Sequence, residues 1–403
     1  MTPPRFPMRR EPLRKARLSI AITYEQVRPD KGGCETYIAD LCRLLVADRH
    51  QVHIYAADCD RAALPQEITH HPLPAARGPR WLRPWRFARS CAHALADSPH
   101  DVVIGLVKTL YQDVLILQGG FHQASAVANV RKQPPGWRRS AAWLLQRLNP
   151  AFWSYRLLER RQLTAQPLIV VPSRWVADHG ADYYGLKPPL IHVVPNAVPA
   201  ERVLAMDRPA RRSQFRERLG LESTAVAGLF VGHNYRLKGL EPLLRATARV
   251  ASDRFRLLVC GDARVGRWRR LAHQLGCAER VRFLGYLPDV RDAYYAADFL
   301  VHPSFYDPCA LVTLEALACG LPVITSRSNG AHELLPPPLA ELTLLDAHDV
   351  GTLARNIEQL CEDGRRAALA RVARQAADAW TMADHYRDLL NVLRAAIARK
   401  AAA

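Results

Sequence analysis

The sequence predicts an α/β protein of two domains, each built on a parallel β-sheet. A length of 403 residues suits two such domains rather than one, and a hydrophobic content of 49% is ample for two cores. Short apolar runs alternate with helical patterns: residues 18–22 and 52–55 enclose the first predicted helix, and residues 225–231 open the second half. In parallel sheets of this kind, ligands bind at the edge formed by the carboxyl ends of the strands.

Composition narrows the classes of partner. A net charge of +18 implies an acidic partner, such as nucleic acid, anionic lipid or a phosphorylated substrate. No apolar run reaches the roughly 18 residues that a membrane-spanning helix needs. Residues 1–16 are basic and proline-rich without the apolar centre of a secretory signal, and we expect them to be disordered. The nine cysteines form no C-x-x-C pair, which argues against zinc and a disulfide framework and favours reduced thiols in the cytosol.

The loop after the first predicted strand ends in Gly32-Gly33, directly before a helix. Glycine lets a backbone approach a ligand closely, and the N–H groups at a helix N-terminus favour an anion. The pair lacks the full G-x-G-x-x-G dinucleotide pattern, so a plain tight turn stays open as the alternative.

Two segments of the first half combine arginine with aromatic residues. Residues 77–89 carry five arginines and two tryptophans with no acid, and residues 131–161 carry eight lysines and arginines against one glutamate. Tryptophan and tyrosine suit the lipid–water boundary and arginine suits anionic head groups, so the segments predict docking on an anionic membrane surface. The alternatives are aromatic residues packed in the core below a solvated basic face, or stacking on single-stranded nucleic acid. The sequence disfavours nucleic acid because it contains no recognisable nucleic-acid-binding module.

Between these segments, polar residues adjoin two predicted strands. Lys108 follows the strand at 102–106, and Asp113 opens the apolar run at 114–117. That run ends in Gln-Gly-Gly-Phe-His, which places His122 just after the strand. A lone histidine can equally be structural.

The second half opens with a strand that runs into the sequence 232-GHNYRLKG-239 and then a helix. A strand followed by glycine and basic residues before a helix outlines a phosphate site, although it is not a Walker loop. Arg236 and Lys238 are the candidate cations. The alternative is an ordinary surface turn.

The most specific stretch is 299–333. An apolar run at its start enters a loop that carries Asp307, a helical pattern from about residue 310 carries Glu315, and Gly320 ends that helix before the next strand. Two carboxylates eight positions apart therefore flank a helix N-terminus, where a phosphate would be favoured. Taken alone, the spacing also fits a plain β-α-β unit with two solvated acids.

Together these motifs resemble the retaining GT-B glycosyltransferases of the glycogen-synthase-like class, family 4, and they are closest to the lipopolysaccharide core glucosyltransferases. The resemblance covers residues 18–395. Its motifs are the Gly-Gly pair, Val-Pro-Ser, Val-Val-Pro-Asn-Ala-Val, Lys-Gly and, most specifically, 285-GYLPDVRDAYYAADFLVHPSFYDPCALVTLEA-316.

The resemblance implies two Rossmann-like, doubly wound domains that face each other across a cleft. The first, 17–197, would bind the acceptor, and the second, 198–378, would bind the nucleotide-sugar. A charged, loop-like linker at 198–212 would join them, and the helical segment 379–403 would return to pack on the first domain.

It also implies roles for single residues. Asp307, His122 and Lys238 would be catalytic: Asp307 approaches the hydroxyls of the donor sugar, His122 faces that sugar, and Lys238 with Arg236 neutralises the diphosphate. Glu315 would hold the ribose. The implied donor-binding residues are, in chain order, Gly33, Arg236, Lys238, Asp307, Pro308, Cys309, Ala310, Leu311 and Glu315.

The chain departs from the family pattern at two positions. Asp307 stands where the family usually has glutamate, and Ala310 stands where it usually has glycine, so donor choice is open. Lys108 and Asp113 resemble polar positions of related sequences and are candidates for the acceptor side.

The function that the resemblance implies is retaining transfer of a sugar, UDP-linked and for example from UDP-glucose, without a metal or other cofactor. The acceptor would be a phosphorylated, lipid-linked saccharide of the lipopolysaccharide inner core, and the protein would be cytoplasmic and peripheral on the inner membrane. No nucleic-acid partner is expected. The alternatives are a transferase for another glycolipid or polysaccharide, an epimerase with the same fold, and a non-catalytic relative.

Overall fold

The computed structural model describes residues 17–106, 108–204, 207–262 and 264–402, so the segment predicted to be disordered, 1–16, lies outside the described residues. Two parallel sheets form the centres of two α/β domains. This architecture confirms the predicted fold class.

The first domain contains a seven-stranded parallel sheet. The strands of this domain are β1 (Ser19–Thr23), β2 (Gln26–Val27), β3 (Gln51–Ala56), β4 (Asp58–Cys59), β5 (Thr69–Pro72), β6 (Val102–Gly105), β7 (Val114–Ile116), β8 (Leu168–Val171) and β9 (Ile191–Val193). Its helices are α1 (Gly33–Ala47), α2 (Arg83–Ala96), α3 (His122–Arg131), α4 (Trp137–Arg147), α5 (Pro150–Thr164) and α6 (Arg174–Tyr184), followed by α7 (Ala200–Val203) in the linker. The sheet order is β5-β3-β1-β6-β7-β8-β9, while β2 and β4 pair separately.

The second domain contains a five-stranded parallel sheet. Its strands are β10 (Val226–Gly232), β11 (Phe255–Gly261), β12 (Val281–Gly285), β13 (Phe299–His302) and β14 (Val323–Thr325), in the order β12-β11-β10-β13-β14. Its helices are α8 (Arg208–Arg218), α9 (Leu240–Thr247), α10 (Gly266–Gln274), α11 (Arg291–Ala296), α12 (Leu311–Ala318), α13 (Pro337–Ala340), α14 (Val350–Cys361) and α15 (Asp363–Ala379), and α16 (Met382–Ala401) ends the described chain.

The strand order places a topological switch point in each sheet. In the first, β1 lies between β3 and β6, and in the second, β10 lies between β11 and β13. The chain therefore winds in opposite directions on either side of β1 and of β10. The loops that leave neighbouring strands diverge there and open a crevice at the carboxyl edge.

The sequence predicts a C-terminal helical segment over 379–403. In the structure this segment begins where α15 ends at Ala379: Trp380 is extended, and Thr381 is the N-cap of the next helix, α16. The Thr381 hydroxyl and the Asp384 carboxylate cap each other's backbone N–H groups, as a capping box requires. Helix α16 then packs leucines such as Leu389 and Leu393 into the core of the first domain.

Candidate active site

The candidate site lies where β10 and β13 end, at the switch point of the second sheet. Lys238 is on the loop after β10 and Asp307 is on the loop after β13. The Lys238 Nζ lies 2.5 Å from an Asp307 carboxylate oxygen, and both side chains are largely buried. Gly239 allows the loops to approach: its φ is +83°, and a Cβ there would lie 2.0 Å from the Pro303 carbonyl oxygen. An ammonium has three N–H donors, so the pair leaves donors for a second anion.

Asn329 fixes the loop that carries Asp307. The Asn329 side chain is fully buried, and its Oδ1 accepts hydrogen bonds from the N–H groups of Ala310 and Ala331 at 3.0 and 3.2 Å. Its Nδ2 donates to the hydroxyls of Thr313 and Thr325. One amide side chain thus ties the loop, the first turn of α12 and the end of β14 together.

Glu315 on α12 is held by two donors. Its Oε1 accepts a hydrogen bond from Arg202 Nη2 at 2.8 Å, and its Oε2 accepts one from the Tyr294 hydroxyl at 2.7 Å. Arg202 belongs to the linker helix α7, and it also donates to Asp40 on α1 of the first domain. The predicted ribose-binding acid is therefore connected to both domains.

The N-termini of α1 and α12 face each other across the cleft. A Cβ placed on Gly33, the first residue of α1, would lie 3.5 Å from the side chain of Leu311, the first residue of α12. Ala310 precedes α12 at the N-cap position and has no side-chain oxygen that could cap the helix. Two helix N-termini, each favouring negative charge, therefore meet at Leu311, four positions after Asp307.

Three polar side chains join the two domains beside the loop that carries Asp307. Ser173 Oγ donates to the carbonyl oxygen of Pro308 at 2.8 Å, and Asn196 Nδ2 donates to that of Cys309 at 3.1 Å. In the opposite direction, the Glu333 carboxylate of the second domain accepts hydrogen bonds from the first two N–H groups of α6, at 2.8 and 2.7 Å. These contacts hold the loop that carries Asp307 against the first domain.

Gly120 is a further point of close approach. Its φ is +66°, and a Cβ there would lie 2.1 Å from the Tyr306 hydroxyl and 3.1 Å from Pro308 Cγ. Tyr306 comes from the second domain but packs into a hydrophobic cluster with Phe121 and Val176 of the first. Within the described part of the chain, its hydroxyl has no hydrogen-bond partner.

His122 begins α3 in the first domain. Its ring stacks on that of Tyr155 at a centroid distance of 5.4 Å, and its backbone N–H donates to the buried Glu159 carboxylate. Burial and the nearby charge of Lys108 lower the pKa of His122, which favours the neutral imidazole. Lys108 Nζ in turn lies 2.7 Å from Glu159. The structure thus brings His122 and Lys108 together around one buried acid, and it places their side chains on the α5 side of the first domain.

Asp113 lies at the other edge of the first sheet. Its carboxylate accepts a hydrogen bond from the N–H of Val103 at the start of β6, at 2.8 Å, and it lies 3.5 Å from Lys400 of α16. The amino ends of β6 and β7 meet there, opposite the carboxyl edge. The structure therefore does not bring Asp113 to the cleft.

Arg236 is exposed. Burial and, to a smaller extent, the charge of Arg236 lower the pKa of Lys132 at the end of α3 in the first domain. Of the predicted diphosphate contacts, Lys238 is in the ion pair with Asp307, and Arg236 is not in that pair.

The residues behind the ion pair are neutral. His302 is fully buried at the end of β13, and burial together with the Lys238 charge lowers its pKa to about 4. Burial raises the pKa of the Cys309 thiol, so this cysteine is a poor nucleophile. In the described ranges, no group of three or more histidine, cysteine, aspartate or glutamate side chains could hold a metal ion.

Sequence reasoning missed the residues that connect the domains. Ser173 and Asn196 each follow a recognisable strand-and-proline motif, so their position after β8 and β9 was a signal that could have nominated them. Arg202 and Glu333 carry no such signal, because their partners lie 113 and 159 positions away in the sequence. Asn329, which acts within the second domain, was missed as well.

Comparison with known proteins matches both halves of the chain to families. The family described as Glycosyltransferase Family 4 matches residues 31–202, and the family described as Glycosyl transferases group 1 matches residues 226–363. The second match contains Lys238, Asp307 and Glu315.

Two curated relatives illustrate the range of names. The D-inositol 3-phosphate glycosyltransferase of Corynebacterium kroppenstedtii is 33% identical over 261 residues, which are 60% of this chain and 56% of that protein. The chain thus spans little more than half the length of this relative. A protein of Burkholderia thailandensis named "Probable transglycosylase" is 31% identical over 312 residues, 76% of this chain and 77% of that protein.

Two solved structures share the fold. WaaG, a glycosyltransferase involved in lipopolysaccharide biosynthesis, superposes with a TM-score of 0.76 at 20% identity, covering 93% of this chain and 99% of WaaG. HepE of Anabaena, in complex with UDP and glucose, superposes with a TM-score of 0.70 at 19% identity, covering 94% of this chain and 99% of HepE. These similarities support the predicted GT-B architecture of two Rossmann-like domains.

Proposed function

The chain belongs to the glycosyltransferases of group 1 and family 4, and we propose that it is a retaining enzyme that transfers a sugar from a nucleotide-sugar to a lipid-linked saccharide. The observation that carries the proposal is the ion pair of Lys238 and Asp307 at the switch point, on the loop that leads into α12, whose N-terminus faces that of α1. That arrangement offers fixed positive charge to a diphosphate and a carboxylate to sugar hydroxyls.

The proposed chemistry follows from these charges. The bond between the anomeric carbon and the diphosphate oxygen breaks, and its electron pair leaves with the nucleoside diphosphate. Lys238 and the N-terminus of α12 stabilise the negative charge that develops on the leaving oxygens. The acceptor hydroxyl attacks the same face of the sugar and gives its proton to the departing phosphate, so configuration is retained. No protein nucleophile is needed, and Asp307 acts as a hydrogen-bond acceptor for the sugar.

We propose a UDP-linked donor, such as UDP-glucose. The support is the likeness to HepE, whose structures hold UDP, glucose and UDP-glucose. Asp307 is one methylene shorter than the glutamate usual in the family, so a donor sugar must approach the loop more closely or offer a differently placed hydroxyl. Contacts between the domains, such as that of Asn196, would exclude water from the reacting atoms and so suppress hydrolysis.

We propose the lipopolysaccharide inner core, at the cytosolic face of the inner membrane, as the acceptor. The support is the likeness to WaaG and an exposed apolar surface on the first domain. None of the residues of α4 is buried. The large apolar side chains exposed on and around α4 and α5 are Trp137, Leu144, Leu145, Leu148, Trp153 and Leu157. Arginines stack on their tryptophans, as Arg147 does on Trp143 at 5.2 Å and Arg156 on Trp153 at 5.4 Å.

We call this surface the α4–α5 face. It combines exposed apolar side chains with arginines, the composition expected at an anionic lipid–water boundary. Helix α2, from the other basic segment, packs on α5, where Trp85 Nε1 donates to Ser154 Oγ at 3.1 Å. Among the described residues, no helix has both the length and the hydropathy to cross a bilayer. Docking of the α4–α5 face therefore would be peripheral.

Vesicle binding tests this part of the proposal. The variant with Leu144, Leu145 and Leu148 changed to Ser should lose at least ~10-fold in affinity for vesicles that contain anionic lipid, because each leucine loses on the order of 1 kcal/mol of apolar transfer. The control is Leu345→Ser, a leucine that is 75% exposed on the second domain. Equal binding by the triple variant and the control contradicts docking through this face.

Donor binding and turnover test the activity itself. A panel of UDP-, GDP-, ADP- and TDP-sugars is screened by thermal shift, and the stabilising donor is then used in a transfer assay. A donor well above its Kd should stabilise the wild type by ~2–4 kcal/mol. Lys238→Ala and Glu315→Ala should abolish that shift, whereas Lys187→Ala, at an exposed lysine before β9, should retain it. If no nucleotide-sugar stabilises the wild type, the transferase proposal fails; binding without transfer would favour a non-catalytic relative.

A second acceptor class is favoured by one observation: curated relatives about one-third identical are named D-inositol 3-phosphate glycosyltransferases. A phosphorylated polyol would satisfy the basic surface of the first domain as well as a phosphorylated saccharide would. Transfer of the identified sugar to D-inositol 3-phosphate, with none to lipopolysaccharide inner core, would decide for this alternative.

A further inference from the structure

One guanidinium joins the two domains to the predicted ribose site. Arg202, on the linker helix α7, donates through Nη2 to Glu315 at 2.8 Å and through Nη1 to Asp40 of the first domain. All three side chains are at most 23% exposed, so this is a largely desolvated network. A planar guanidinium holds such a fork rigidly, which a lysine cannot do.

The linker is itself fixed to the second domain. The Val203 carbonyl oxygen, one residue after Arg202, accepts a hydrogen bond from the Tyr295 hydroxyl at 2.6 Å. Asp40 instead lies on α1, whose first residue, Gly33, faces Leu311 at the N-terminus of α12. A movement of α1 away from α12 would therefore separate Asp40 from Arg202 and leave the guanidinium held by Glu315 alone.

The hydrogen bonds on Glu315 leave it able to bind a diol. Each carboxylate oxygen can accept about two hydrogen bonds, and Arg202 takes one on Oε1 while Tyr294 takes one on Oε2. Two acceptor positions remain, which is the number that the two hydroxyls of a ribose require. Because its two oxygens are held by donors from different elements, the carboxylate plane cannot rotate freely.

We propose that Arg202 is a positioning residue that couples domain closure to recognition of the donor ribose. With Asp40 on one arm of the fork, Arg202 presents its other arm to Glu315 and orients that carboxylate for the ribose hydroxyls. When the domains open and Asp40 withdraws, the orientation of Glu315 is lost and the ribose is released. The inference rests on the proposed function, because it assumes that Glu315 binds the ribose.

The test compares ribose with deoxyribose. Affinities of the 403-residue chain are measured by calorimetry for three matched pairs: UDP and 2′-deoxy-UDP, ADP and 2′-deoxy-ADP, and GDP and 2′-deoxy-GDP. Hydrogen bonds to a charged group predict that, for the nucleotide that binds best, the ribose form binds roughly 10-fold or more tightly than the deoxy form. Glu315→Gln should reduce that ratio strongly.

Arg202→Gln should reduce the ratio of ribose to deoxyribose affinity at least ~3-fold. Arg202→Lys should reduce this ratio partly, because a lysine keeps the charge but cannot donate to both acids as the planar guanidinium does. Asp40→Asn should also reduce it, although Asp40 touches no ligand. The matched control is Arg208→Gln: Arg208 donates to the Cys319 carbonyl oxygen at the end of α12 and contacts neither acid. The ratio of ribose to deoxyribose affinity in Arg208→Gln should equal that of the wild type. Circular dichroism verifies that each variant is folded, and Arg202→Lys serves if Arg202→Gln is not.

The outcomes separate the two proposals. A wild-type ratio in folded Arg202→Gln or Arg202→Lys overturns the positioning role, and a wild-type ratio in Asp40→Asn overturns the coupling to the first domain. A wild-type chain that binds a nucleoside diphosphate without preferring ribose overturns this inference and leaves the proposed transfer standing. A wild-type chain that binds no nucleoside diphosphate overturns the proposed function instead.

Discussion

Replacing Gly120 with alanine tests whether the domains meet as the structure shows. The new Cβ would lie 2.1 Å from the Tyr306 hydroxyl and 3.1 Å from Tyr306 Cζ and Pro308 Cγ, so Tyr306 must move. Overpacking of this kind costs about 1–3 kcal/mol. The φ of +66° adds about 1–2 kcal/mol for a residue with a Cβ. We therefore expect Gly120→Ala to lower the free energy of unfolding by about 2–5 kcal/mol.

The neighbouring glycine is the matched control. At Gly119, a Cβ would meet nothing within 4 Å, and the residue is not in the left-handed region. Gly119→Ala should therefore change the free energy of unfolding by no more than about 0.5 kcal/mol, as substitutions away from packed features do. Urea unfolding, followed by circular dichroism, measures both variants.

A double-mutant cycle separates the contact from the backbone strain. Tyr306→Phe removes the hydroxyl that clashes, and the hydroxyl has no partner among the described residues, so this change alone should be neutral or stabilising. In the Tyr306→Phe background, Gly120→Ala should cost less, because only about 1–2 kcal/mol from its φ and the tight contacts with the ring of residue 306 and Pro308 Cγ at 3.1 Å remain. If Gly120→Ala costs the same in both backgrounds, the two domains do not touch at Tyr306 in solution and the reasoning is refuted.

Three more predictions concern single side chains. Acidification from pH 6.5 toward pH 4 should lower the melting temperature. Burial lowers the pKa of His100 in the folded chain to about 4, below its ordinary value of 6.5. In this pH range the unfolded chain therefore binds a proton at His100 that the folded chain does not bind, which favours unfolding. His100→Asn should flatten that pH dependence, and an unchanged slope would exclude His100 as its source. Glu333→Ala should speed hydrogen exchange of the Arg174 and Trp175 amides about 10-fold, because the loss of a helix cap costs about 1–2 kcal/mol. Glu333→Gln should have a smaller effect. Unchanged exchange would mean that the cap is absent in solution. Asn329→Ala should destabilise the protein by about 2–4 kcal/mol in urea, because it leaves buried N–H and hydroxyl groups unpaired, and a loss below about 0.5 kcal/mol would contradict the role assigned to Asn329.

Local sequence features determined the elements and their order. The apolar runs at β1, β10 and β13 are short and buried, and β10 ends in Gly232 while Pro303 follows β13, so each run could be recognised as a strand of a parallel sheet without its neighbours. The acidic pair Asp307 and Glu315 could be placed around a helix N-terminus for the same reason, because eight positions of one chain segment fix that geometry. The α/β class of the fold and the position of the loop that carries Asp307 follow from such local patterns.

The tertiary structure alone decided which side chains meet. Lys238 pairs with Asp307 across 69 positions because β10 and β13 are neighbours in the sheet, and no local pattern specifies strand order. Arg202 reaches Asp40 across 162 positions and Glu315 across 113 because the domains close on the linker. Asp113 directly precedes β7, so it lies at the amino edge of the parallel sheet and away from the cleft, as its position before the apolar run already indicated. The periodicity of apolar residues indicates helices, strands and buried faces. A site, in contrast, is made by contacts between distant segments, and these contacts form only when the strands pair in their final order and the two domains pack together.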